Sequence, residues 1–183
     1  MSKSTHHNVY FTPLRLQIRL LILGCDTIHQ KIISMDNKDF TASFLVDNPP
    51  TEAFNAITNV RAWWSEEIKG NTRTLGEEFY YHYKDVHTCT MKLVELVPGK
   101  KAAWLVLNNH FNFIKDDSEW VGTKIIFDIT EEDGETKVQF THQGLTPAYE
   151  CYNICHDAWS KYIKTSLRNL IVVGKGQPNP KES

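Results

Sequence analysis

The last third of the chain carries an apolar stripe that hardly breaks, and it restricts the fold more than any other feature. Cys151, Ile154, Cys155, Ala158, Trp159, Tyr162, Ile163, Ser166, Leu167, Leu170 and Ile171 recur three and four residues apart. That is the signature of a helix with one buried face. The spacing predicts a helix from about Glu150 to Val173, with Gly174 as its stop. At a rise of about 1.5 Å per residue it would be on the order of 36 Å long. A helix of that length, preceded mainly by strands, is best buried by one curved antiparallel sheet that grips it, and such a grip leaves room for a cavity.

The strand pattern agrees. Phe40, Ala42, Phe44 and Val46 alternate with polar residues in a half-buried first strand. Asp47 to Thr51 then breaks it. Asn48 or Thr51 can cap a short helix from Glu52 to Ile57, with Pro50 near its start. Asn59 can cap a second, Arg61 to Ile68, carrying Trp63 and Trp64. Strands follow at Glu78–Tyr83 and Val86–Val97, the second with His87, Cys89, Met91 and Leu93 on one face. The Pro98-Gly99 turn leads to an almost wholly apolar strand, Ala102–Leu107, and then to a polar and aromatic loop over 108–118. Trp120 to Thr130 puts Val121, Thr123, Ile125, Phe127 and Ile129 on one face. The Asp133-Gly134 hairpin turn sends Thr136–His142 back with Val138, Phe140 and His142 inward. The class is α+β: a sheet of about six or seven antiparallel strands around a long C-terminal helix, with two short helices after the first strand.

Charge and cysteine content narrow the function classes. The 183 residues carry a formal charge of −2 with no basic patch, so nucleic acid is excluded as the expected partner. Cys25, Cys89, Cys151 and Cys155 show neither metal-knuckle nor redox spacing, which points to reduced thiols in a cytoplasmic protein. Residues 1–34 differ from the rest: Lys3, Arg15, Arg19 and Lys31 stand against Asp26 alone. The run Leu20–Leu23 is too short to span a bilayer. The favoured reading takes 1–34 as an N-terminal extension, disordered or not native, upstream of a start at Met35; a basic targeting arm is the alternative. The domain is then 35–178, and 179–183, after Gly176 and Pro178, is a flexible tail.

Five segments carry a resemblance: VDNPPTEAFNAITNVRAWWS (46–65), GEEFYY (76–81), LVELVPGKKAAWLV (93–106), EWVGTKIIFDI (119–129) and FTHQGL (140–145). From about Asp39 to Pro178 the chain resembles the START-like, or SRPBCC, helix-grip superfamily. Within it, the chain is similar to the homologues of the heat-shock-protein-90 ATPase activator, in a bacterial single-domain subgroup. The resemblance implies a working cavity between sheet and helix. Strand parity then aims Phe44, Tyr81, Tyr83, His87, Met91, Thr123, Phe127, Phe140 and His142 at it. Cys151, Cys155, Trp159 and Tyr162 join from the helix, and Trp64 closes the mouth. An aromatic wall with a few polar groups suits a small-molecule pocket.

Three groups could carry chemistry. His142 could act as a general base with Glu119 as its acid partner, or cap the long helix instead. Glu150 sits where an acid favours a helix N-terminus. Cys151, Cys155 and His142 supply three metal ligands at most, and a structural zinc needs four. No metal or cofactor is therefore expected, and the two thiols read as small apolar residues. The expected function is binding of a small hydrophobic or amphipathic molecule. The alternatives are a co-chaperone of the heat-shock-protein-90 ATPase and a cyclase- or hydrolase-type enzyme using the same cavity. The apolar strand Ala102–Leu107 leaves monomer and homodimer both open.

Overall fold

The structure, a computed structural model, describes residues 38–182. The expected extension 1–34 lies outside the described residues. The strands are β1 (Phe40–Val46), β2 (Lys69–Gly70), β3 (Glu78–Tyr83), β4 (His87–Val97), β5 (Lys101–Phe111), β6 (Lys124–Glu132) and β7 (Glu135–Gln143). They form one antiparallel sheet in the order β1-β7-β6-β5-β4-β3-β2. Helix α1 (Pro50–Thr58) follows β1. Helix α2 runs from Tyr152 to Val173 and ends at Gly174.

Alternation accounts for the sheet. On β4, His87, Cys89, Met91 and Leu93 are buried, and on β7, Val138, Phe140 and His142 are. The β6–β7 hairpin turns at Asp133-Gly134, both with positive φ (52° and 89°), as a type I′ turn requires. Register shifts in β4 at Thr90/Met91 and Leu93/Glu95 add the bend that such irregularities give a strand. The inner face meets α2 through Phe40, Phe127, Phe140, Trp159, Ile163 and Leu167, all within one core.

Four expectations are corrected. The second short helix is absent: only a single 3-10 turn, Val60–Ala62, forms. Trp63 and Trp64 are both buried on this irregular stretch. Arg61 secures the path by donating to the carbonyls of Ile68 and Gly70 at 2.9 and 2.8 Å. Helix α1 starts after Pro49 with no side-chain cap, and Asn48 donates to Glu52 instead. Strand β5 continues through Asn108–Phe111, where a loop was expected, because Asn109 finds buried hydrogen-bond partners. Val121 is exposed, since Gly122 turns the chain before β6 begins at Lys124.

The segment after Gly174 is hydrogen-bonded to the domain, and the bonds reach Asn179, the first residue of the expected tail. Gly176 lies so close to the Ala62 carbonyl that a side chain there has no room. Gln177 N–H donates to Ser166 Oγ at 2.6 Å. Asn179 N–H donates to the Trp64 carbonyl, and Glu66 N–H to the Asn179 carbonyl, each at 2.9 Å. Ser166 belongs to a π-helical turn, Tyr162–Leu167, in the middle of α2. Its hydroxyl also donates to the Trp63 carbonyl at 2.7 Å. Among the described residues no helix is long and apolar enough to cross a membrane.

Candidate functional site

One aromatic pocket of about 130 Å³ opens between the first turns of α2 and the β3–β4 end of the sheet. Trp64, Tyr81, Tyr83, His87, Phe111, Trp120 and Trp159 wall it, with Val86, Cys155, Ala158 and Tyr162 between the rings. Phe113 and Ile154 stand at its mouth, Ile154 59% exposed. The rings brace each other: Trp64 stacks on Tyr81 at 4.3 Å and Trp120 on Trp159 at 5.7 Å. Such ring pairs stabilise a wall beyond the area they bury. Two larger depressions beside residues 179–182 are more open and more polar.

Most polar groups of this wall have fixed partners, while the Trp120 Nε1–H is buried without one among the described residues. Asn109 Nδ2 donates to the Asp117 carbonyl at 2.9 Å, so its Oδ1 faces His87 Nε2 at 2.8 Å. Burial pushes the His87 pKa down to about 4, with the Asn109 contact opposing only in part. The ring is therefore neutral at pH 7, with its proton on Nε2. Tyr81 is held firmly protonated, chiefly by burial. Its hydroxyl accepts from Asn179 Nδ2 at 3.4 Å, and Asn179 also pairs with the Tyr162 hydroxyl. The strap after α2 thus ties two of the wall tyrosines together.

Of the residues predicted at the cavity, Trp64, Tyr81, Tyr83, His87, Cys155, Trp159 and Tyr162 line it. Met91, Thr123, Phe127, Phe140, His142 and Cys151 do not, because they fill the solid core below it. Phe44 is partly buried against the same core. Val86, Phe111, Phe113, Trp120, Ile154 and Ala158 were missed, Trp120 through the Gly122 turn and Phe111 through the polar approach of β5.

His142 is fully buried and has no free nitrogen. Trp159 Nε1 donates to its Nδ1 at 3.0 Å, which leaves Nε2–H to donate to Thr123 Oγ1 at 2.9 Å. Thr123 in turn donates to the Trp120 carbonyl at 2.6 Å. Burial lowers the His142 pKa to about 3. The ring is a satisfied core group with no lone pair open to a substrate. Glu119 is engaged too: its carboxylate accepts the N–H groups of Glu150 and Cys151 at 2.5 and 2.9 Å, where α2 begins. Glu150 accepts from the Lys115 N–H at 2.8 Å. The two predicted catalytic groups are therefore not brought together over the pocket.

Cys89, Cys151 and Cys155 are buried thiols in no disulfide. The contact with Cys151 and burial raise the Cys155 pKa, and burial raises that of Cys89, so both stay protonated. A thiolate nucleophile needs the opposite shift. Among the described residues no three His, Cys, Asp or Glu side chains gather as metal ligands.

Residues 47–171 match the model of the family described as activator of Hsp90 ATPase homolog 1-like protein. No curated protein matches the sequence. Among solved structures, the chain is similar to the Aha1 dimer from Colwellia psychrerythraea, at 21% identity and a TM-score of 0.61, over 76% of this chain and 99% of that one. It is also similar to a protein from Staphylococcus saprophyticus, at 14% identity and 0.56, covering 76% and 96% of the two chains. A protein from Mesorhizobium loti shares 14% identity at 0.55, over 68% and 90%. At such identities the likeness is one of fold.

Proposed function

This chain belongs to the activator of Hsp90 ATPase homolog 1-like family, a helix-grip domain, and from that premise we propose that it binds a small apolar or amphipathic molecule in the aromatic pocket. The observation that carries the reading is the pocket itself: rings on every side and one buried histidine, at the place where helix and sheet part. Pockets that are mostly apolar with few fixed polar groups are what small ligands occupy. No reaction is proposed, because His142 and Glu119 are committed to the core and to the helix start. The buried free thiols suit a reducing compartment such as the cytoplasm.

Native mass spectrometry of the full chain purified from its host tests this reading. A small-molecule adduct should accompany the wild-type protein and vanish on denaturation. It should be missing from Ala158→Phe, which fills the pocket. No adduct, together with unchanged tryptophan emission across a panel of small apolar compounds, would overturn the reading. The family description favours a second reading, a regulator of the Hsp90 ATPase acting through its outer surface. That reading expects faster ATP turnover by the host chaperone when the protein is added, and expects Ala158→Phe to leave the effect intact.

A further inference from the structure

We propose that the pocket selects an uncharged, single-ring molecule carrying a hydroxyl or N–H, and that His87 Nδ1 is the acceptor that reads this donor; the proposal rests on the binding reading above. Its ground is a contrast between two buried histidines. His142 has both nitrogens hydrogen-bonded inside the protein. His87 has one: Nε2 meets Asn109, and Nδ1 has no partner among the described residues. Yet His87 is only 8% exposed, and it lines the pocket.

The free nitrogen has a settled character. The Asn109 amide cannot be reversed without losing its bond to the Asp117 carbonyl. Its oxygen therefore faces Nε2 and keeps the proton there, which leaves a bare lone pair on Nδ1. The ring is held in place, tilted on Phe111 at 4.2 Å and edge-on to Trp120 at 4.8 Å and Tyr81 at 5.1 Å. Nδ1 has no protein partner among the described residues and is not sealed from solvent, so a ligand donor there takes the place of water. A carboxylate or phosphate placed at His87 would face the lone pair head-on. Protonation does not rescue it, because the neutral ring is favoured down to about pH 4.

Size supplies the second restriction. The pocket holds about 130 Å³, close to the cavity of about 150 Å³ that accepts benzene in an engineered core. One ring fits between Trp64, Trp120 and Trp159, and the interior has no room for a fused polyketide. A phenol-type molecule meets both demands, with its ring among the aromatic walls and its hydroxyl on Nδ1.

The test titrates the full chain with phenol, toluene and benzoate, by calorimetry and by the ¹⁵N resonances of the histidine rings. Phenol should bind at least as tightly as the more apolar toluene, and benzoate should not bind. In the unaltered protein phenol should shift the His87 Nδ1 resonance and toluene should leave it in place. Exchange His87→Phe should weaken phenol about tenfold, as the loss of one buried hydrogen bond does, and leave toluene within about twofold. If phenol binds but the Nδ1 resonance does not move, or if benzoate binds more tightly than phenol, His87 does not read the ligand and the binding reading alone survives. If neither phenol nor toluene binds, both readings fall. The resonance measurement needs no substitution, so a poorly folded variant does not remove the test.

Discussion

Two imidazoles buried in one core have opposite roles, and their neighbours decide which is which. His142 lies in a relay of donors that runs from Trp159 through the ring and Thr123 to the Trp120 carbonyl. His142→Ala strands the Trp159 N–H and leaves a void, so it should lower unfolding free energy by about 3 kcal/mol. Urea denaturation measures this. The folded fraction should still take up pocket ligands within about threefold of wild type, as befits a residue behind the wall. Loss of ligand without loss of stability would return His142 to the site. Strand parity made Tyr81 and His87 legible, and the helical stripe made Trp159 so. It could not separate them from Phe127, Phe140 and His142, which face the same way deeper in. Depth depends on where the helix crosses the sheet, and no local pattern records that. The partner that fixes His87 was hidden as well, because Asn109 in a polar run reads as loop until its buried bonds are seen.

Helix α2 binds the pocket together, and its first turn depends on a residue outside it. Glu119, in the loop between β5 and β6, accepts two N–H groups at the start of the helix. Helix starts leave such donors unpaired and favour negative charge beside them. Glu119→Ala should cost about 1 to 2 kcal/mol in chemical denaturation, the range of a lost cap. Glu119→Gln, which keeps an acceptor, should cost less. An equal loss from both would place the contribution in charge alone. The capping was half legible: an acid at Glu150 was expected, but the group that meets the backbone comes from 31 residues earlier in the chain. The π-helical turn at Tyr162–Leu167 left no trace in the stripe, since one extra residue per turn hardly disturbs a three-and-four spacing. It places Ser166 Oγ between the Trp63 carbonyl and the Gln177 N–H, and so anchors the strap that leads into the expected tail.

For the molecule as a whole, two neutral buried histidines tie stability to pH. Their folded pKa values lie near 4 and 3, lowered in each case mainly by burial, against about 6.5 in an unfolded chain. Below that value the unfolded state binds more protons than the folded one, so stability falls as pH falls. The contribution is complete above about pH 6.5. It is lost progressively down to about 4 for His87 and 3 for His142, at up to about 1.4 kcal/mol per pH unit for each ring. Urea midpoints measured from pH 7.5 to 4.5 should drop along that course, and His87→Phe should flatten the slope. A flat profile in the wild type would show that neither ring is held neutral by burial in the folded state, and a halved slope that only one is.

The sheet order also has a consequence during synthesis. Strand β1 is the first to leave the ribosome, but its one sheet neighbour is β7, with Val46 opposite Thr136 and Phe40 opposite His142. About 90 residues separate the two, which at roughly 5 to 20 residues per second takes on the order of 5 to 20 s. Throughout that interval Phe40, Ala42 and Val46 belong to an apolar strand with no edge to join. The nascent domain must keep its oldest segment soluble until nearly the newest arrives, so translation speed through β2 to β6 sets how long it is open to wrong partners.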